Sequence, residues 1–178
     1  MNCPDVMMPP AIAARPRDHR GYPILFMLTD DDFDPARPRD DAGRPQGYSW
    51  QEVSPDRLHH CFVEGRCGIC GGERGYWLAF VGGPLSIENR VFSDPPFHPE
   101  CVEYARQVCP FLLNAWDRSH IRAASVLAEQ DPDGTLAKPV RQGMLVTRKY
   151  SLFRGDGGAV LIRTAPAKRI EWFDEVAS

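Results

Sequence analysis

Apolar and polar positions alternate with two different periods along this chain, and the switch between them marks out its elements. Tyr22 to Thr29 is a β-type run. Ser54 then supplies a hydroxyl N-cap ahead of Pro55 and Asp56, the signature of a helix start. Leu58, Cys61 and Phe62 fall on one face of that helix, and Gly65 ends it. Tyr76 to Val81 reads as a strand broken at Gly82-Gly83-Pro84, and a short second strand is expected near Asn89 to Phe92. A helix containing Cys101, Val102, Tyr104, Ala105 and Val108 follows, limited by Pro110. His120 to Glu129 is compatible with a further helix. Gly143 to Phe153 and Ala159 to Thr164 are β-type runs joined by the turn Arg154-Gly155-Asp156-Gly157-Gly158, which predicts an antiparallel β-hairpin. Ile170 to Phe173 adds an edge strand.

The order of elements predicts an α+β fold in four segments. Residues 1–20 form an irregular arm, and residues 21–66 a strand, an acidic Pro-rich loop and a helix. Residues 67–118 form a cysteine-rich module, and residues 119–178 a helix and the C-terminal hairpin, packed with that module as one domain. At 178 residues, with 43% apolar and 25% charged positions, the chain is long enough to bury a real core. Its 17 prolines are the exception to average composition. Several crowd the first hundred residues, and the Asp, Arg and Pro of Asp30 to Gly47 forbid helix and predict a long loop.

Apolar runs are strand-sized, well short of the roughly 18 residues that span a bilayer. The first residues lack the basic start and continuous apolar stretch of a secretion signal, so a cytoplasmic location is the default expectation. Six cysteines suit a reducing compartment, because four of the thiols lie in or beside metal-type spacings.

The strongest chemical signal is Cys67-x-x-Cys70 followed by His98-x-x-Cys101. Two cysteines two residues apart among glycines form a tight knuckle whose backbone amides point at the sulfurs and lower their pKa values. With Pro95-Pro96 ahead and Pro99 just inside, His98 and Cys101 straddle a helix start, where exposed N–H groups favour thiolate. Knuckle, strand pair and ligand-bearing helix make a treble-clef-like arrangement around one structural Zn2+. Four protein ligands close the coordination sphere, so the ion is expected to be structural and not a Lewis acid. Structural zinc contributes an apparent ~10–16 kcal/mol near neutral pH in small peptides. His59, His60 and Cys61 lie close enough in sequence to replace a ligand. Cys109, about two helical turns or ~12 Å beyond Cys101, is too far to share its metal and is expected to pack around Phe111 and Leu112. Cys3 is expected to be a surface thiol.

Charge is uneven although the formal total is only −3. Asp30 to Asp56 carries eight acidic residues against Arg37, Arg39 and Arg44, whereas Lys138 to Trp172 carries eight basic residues against Asp156 and Glu171. Arg148, Lys149, Arg154, Arg163, Lys168 and Arg169, interleaved with Tyr150, Phe153 and Trp172, are the candidate nucleic-acid-binding residues. The cysteine-rich segment is not itself basic: Glu64 to Arg118 holds seven acids and five bases.

The series Cys67-Gly68-Ile69-Cys70-Gly71, Phe80-Val81-Gly82-Gly83-Pro84, Asn89-Arg90, Pro95-Pro96-x-His98-x-x-Cys101 and Cys109-Pro110-Phe111-Leu112 resembles an uncharacterised family of small zinc-finger-like proteins from actinobacterial and phage genomes. Gly21-Tyr22-Pro23 and the strand ending in Arg169 to Phe173 extend the resemblance over most of the chain. Gly72-Glu73-Arg74-Gly75 departs from the tighter turn of that pattern. The resemblance implies no particular activity.

Three functions follow as expectations. The first is a zinc-stabilised binding or regulatory protein acting on a protein partner, phage-related by its resemblance, with the acidic loop as contact surface. The second is non-catalytic nucleic-acid binding through the basic hairpin. The third, a nuclease of the His-Asn-His type, lacks its general base, because no histidine lies between Cys70 and His98. No catalytic residue, small-molecule substrate or membrane partner is expected.

Overall fold

The computed structural model describes residues 3, 5–28, 38–46, 53–109, 112, 141–155 and 158–173. Among them are helices α1 (Pro10–Ala13), α2 (Pro55–Val63), α3 (Pro84–Asn89) and α4 (Pro99–Val108). The strands are β1 (Leu78–Gly82), β2 (Val91–Phe92), β3 (Gly143–Thr147), β4 (Tyr150–Arg154), β5 (Val160–Thr164) and β6 (Arg169–Trp172). Helices and antiparallel strands are thus mixed in one α+β structure. The expected helix at 120–129 lies outside the described residues, as do Pro110, Phe111 and half of the Asp30 to Gly47 loop.

Among the described residues, two three-stranded antiparallel sheets are present, in the orders β1-β3-β6 and β2-β5-β4. In the first, Phe80 lies opposite Leu145 and Leu145 opposite Ile170; in the second, Phe92 and Leu152 flank Ile162. Side chains on a strand alternate between faces, and here both faces of the first sheet are covered. Leu78, Phe80 and Leu145 pack against Phe92 and Ile162 of the second sheet and Ile87 of α3. Ala79, Met144 and Val146 pack on the other face with Val102 and Val108 of α4, Ile12 of α1 and the knuckle cysteines. Burial on both faces explains why Gly143 to Thr147 is apolar without alternation.

The structure corrects several expectations. The strands after the knuckle do not pair with each other: β1 joins β3 and β2 joins β5. Gly83-Pro84, read as a break, also starts a helix, because Pro84 occupies the first position of α3, where its missing N–H costs nothing. The run Gly143 to Phe153 is two strands in different sheets, with Arg148-Lys149 carrying the chain across. Tyr22 to Leu28 is not a strand; among the described residues it makes isolated bridges, Arg17 with Pro23 and Leu28 with Val53. Pro23 cannot donate to a ladder, and the N–H groups of Phe26 and Met27 go instead to the Ile69 and Gly68 carbonyls, both at 2.9 Å.

The N-terminal arm is tied to the core and contains one short helix, α1. Ile12 is fully buried, and Asp18, 2% exposed, accepts from the backbone of Arg20 and Tyr22 and pairs with the Arg20 guanidinium at 2.7 Å. Cys3 is half-buried, its Sγ 3.7 Å from the Tyr104 hydroxyl, which corrects its reading as a surface thiol. The expected cap and hairpin are present: Ser54 Oγ accepts from Arg57 N, and β4 and β5 pair across the glycine-rich turn. β6 forms an edge of the first sheet. Among the described residues, no helix is long and apolar enough to cross a membrane.

Candidate metal centre

The knuckle is a tight turn closed by its own backbone. Cys67 N–H donates to the Gly72 carbonyl at 2.9 Å and Gly71 N–H to the Cys67 carbonyl at 2.8 Å, while Arg66 and Glu73 bridge across the base. Gly71 has φ +77°, and a Cβ there would stand 2.5 Å from the Phe26 ring. Left-handed backbone and lack of room both demand glycine at this corner.

Phe97 brings the second half of the site to the first. It exchanges both backbone hydrogen bonds with Ala79 of β1, at 2.8 and 2.9 Å, and Gly68 N–H reaches the Pro96 carbonyl at 3.3 Å. Pro95 and Pro96 are fully buried beneath the turn. His98 follows at once as the N-cap of α4, which places Cys101 in the first helical turn.

The donor atoms of Cys67, Cys70, His98 and Cys101 all lie within 4.8 Å of one another. Cys70 Sγ is 3.4 Å and Cys101 Sγ 3.7 Å from His98 Nδ1. A tetrahedral ion with metal–sulfur bonds near 2.3 Å and metal–nitrogen bonds near 2.0 Å needs donor separations of about 3.5–3.8 Å. These four side chains can therefore hold a metal ion.

The surroundings orient the donors. His98 Nε2 lies 2.7 Å from the Glu73 carbonyl. A carbonyl only accepts, so Nε2 carries a proton and Nδ1 is the ring atom that faces the sulfurs, free to bind a metal once any proton on it is displaced. The backbone N–H groups of His98 and Gly72 point at Cys67 Sγ and Cys70 Sγ, each at 3.4 Å. Hydrogen bonds from Cys101 and Cys67 push the Cys70 thiol far down, whereas hydrogen bonds to Cys67 and Cys70 push Cys101 far up. The Cys67 and Cys70 sulfurs raise the His98 imidazole to about 11. Sulfurs this close cannot all ionise without a cation among them, so the cluster shares protons that a metal would displace.

Arg66 reaches the Gly71 carbonyl at 3.4 Å, while Arg74 turns away to the Tyr150 hydroxyl at 3.1 Å. The alternative ligands stand apart from the quartet. His59 and His60 are exposed, and His60 Nδ1 lies 2.6 Å from a Glu64 carboxylate oxygen. Cys61 is buried, and burial chiefly, then the Cys67 sulfur, pushes its thiol up to about 12. Cys109 is half-buried at the end of α4.

Of the six cations singled out from sequence, three engage near neighbours in the chain. Arg154 bonds the Gly158 carbonyl at 3.2 Å, Arg163 lies over the Phe153 ring at 4.9 Å, and Arg169 pairs with Glu171 at 2.7 Å. Arg148, Lys149 and Lys168 instead meet in a groove of about 630 Å³ whose wall is Tyr76 and Trp77. Those aromatics were not anticipated as site residues. Tyr76 opens an apolar run, and only its 66% exposure marks it as a surface group.

No family model, no curated protein and no solved structure matches this chain.

Proposed function

We propose that the quartet holds one structural zinc ion and that the protein is a zinc-stapled binding protein, not an enzyme. The observation that carries this reading is the closed donor set: three thiols and an imidazole, all from this chain, spaced for one tetrahedral ion. Such a sulfur-rich tetrahedron suits zinc, whose thiolate complex with three sulfurs and one imidazole has a net charge of about −1. Bound there, zinc would supply cohesion. Cys67 and Cys70 anchor the knuckle that receives the N–H groups of Phe26 and Met27, and His98 and Cys101 anchor α4 against the first sheet.

The module reads as treble-clef-like, with its second strand drawn off into another sheet. The acidic run that motivates a protein partner lies largely outside the described residues, whereas the basic groove lies within them. Kinship with a phage and actinobacterial family remains part of this proposal on motif order alone.

Metal analysis of protein purified without added metal tests the reading. It requires about one zinc per chain, with loss of cooperative unfolding when a chelator strips it. A folded metal-free protein, or an iron–sulfur absorbance, would overturn it.

A further inference from the structure

We propose that the groove between Tyr76-Trp77 and the Arg148-Lys149 crossover binds a segment of single-stranded nucleic acid. The inference rests on the binding-protein reading above and adds the class of partner and its place on the molecule.

Composition of the groove argues first for an anionic occupant. Its lining includes Arg148, Lys149 and Lys168 and, among the described residues, no carboxylate. Lys149 and Lys168 are exposed at the rim, where they neutralise phosphates.

The aromatic wall argues for bases. Tyr76 and Trp77 meet edge to face, their centroids 5.1 Å apart at 85°. Arg148 places its guanidinium 5.1 Å from the Tyr76 centroid and contacts the Tyr76 hydroxyl, so cation and exposed ring lie side by side. A π-face beside cations is the arrangement that binds unpaired bases without regard to sequence. A phosphopeptide would use the cations and leave the rings idle.

Geometry makes the groove a preformed one. Thr147 Oγ1 donates to the Pro166 carbonyl at 3.2 Å, Ala165 N–H to the Lys149 carbonyl at 2.9 Å and Lys168 N–H to the Val146 carbonyl at 2.8 Å. These bonds lock the two crossovers that make the floor and rim. A concave site of about 630 Å³ falls within the range of ligand pockets.

Fluorescence anisotropy of the full chain with a labelled oligothymidylate of about 15 nucleotides, at about 50 mM salt, provides the test. Tyr76→Ala should weaken binding about 5- to 150-fold, and Tyr76→Phe should restore most of it. The double variant Lys149→Ala/Lys168→Ala should reduce the slope of log affinity against log salt by about 1.4. No binding by the unaltered chain, equal affinity after Tyr76→Ala, or tighter binding of a duplex or a phosphotyrosine peptide would each overturn the proposal. Metal content and thermal melting, recorded on every variant, separate the outcomes. Loss of binding with metal and fold intact locates the fault in the groove, whereas a metal-free folded chain bears only on the zinc reading.

Discussion

His98 donates from Nε2 to the Glu73 carbonyl at 2.7 Å, tying the start of α4 back to the far end of the knuckle. The bond fixes the imidazole tautomer with Nδ1 facing Cys70 and Cys101. Single replacements in the quartet should therefore be severe. Structural zinc contributes an apparent ~10–16 kcal/mol, comparable with the whole stability of many domains. Cys70→Ser is expected to lose the ion and its cooperative melt, whereas His98→Cys, which keeps four ligands, should retain both. Far-ultraviolet circular dichroism and metal analysis of the two variants check the contrast.

Gly71 turns the knuckle with φ +77° directly against Phe26. The ring has little freedom to retreat, with the Arg57 guanidinium 4.6 Å from its centroid. Gly71→Ala adds backbone strain and a clash, each of order 1–3 kcal/mol. Urea unfolding should show a midpoint lowered accordingly.

Ile12 belongs to the same core as the knuckle cysteines despite lying in the first, Pro-rich stretch. Truncating a fully buried isoleucine to alanine costs about 2–5 kcal/mol. Ile12→Ala should lower stability by that amount in chemical denaturation; a change near zero would mean that the N-terminal segment is not part of the core.

Cys61 is buried in α2, with its thiol raised to about 12 chiefly by burial. The folded chain then binds this proton more tightly than the unfolded one. Its contribution is fully present below the ordinary thiol range and is lost as pH rises toward 12. At pH of about 8 the thiol should resist iodoacetamide in the folded protein and react once urea unfolds it. Peptide mapping of the alkylated residue reads this out, and rapid labelling of folded protein would contradict it.

Much of the candidate site was legible because its signals are local. Cys67-x-x-Cys70 and His98-x-x-Cys101 carry their own spacing, and Ser54-Pro55 carries its own cap. Strand partners were not legible, since an apolar run states that it is buried and not which sheet receives it. Gly143 to Phe153 could not show from within that it divides at Arg148-Lys149. Tyr22 to Leu28 departs from a strand for a related reason: the amide partners of Phe26 and Met27 are knuckle carbonyls far along the chain. The aromatic wall of the groove escaped notice because Tyr76 and Trp77 face Lys168 only after both sheets have formed.

The separate fates of β1 and β2 also bear on synthesis. A nascent chain that has just passed Cys101 already carries every donor for the ion, yet both strands flanking α3 still await partners from the last third of the sequence. The metal corner can close early, while two unsatisfied strand edges stay open to stray pairing until β3 and β5 have been made. Truncation before Gly143 should therefore yield a chain that holds its ion and aggregates.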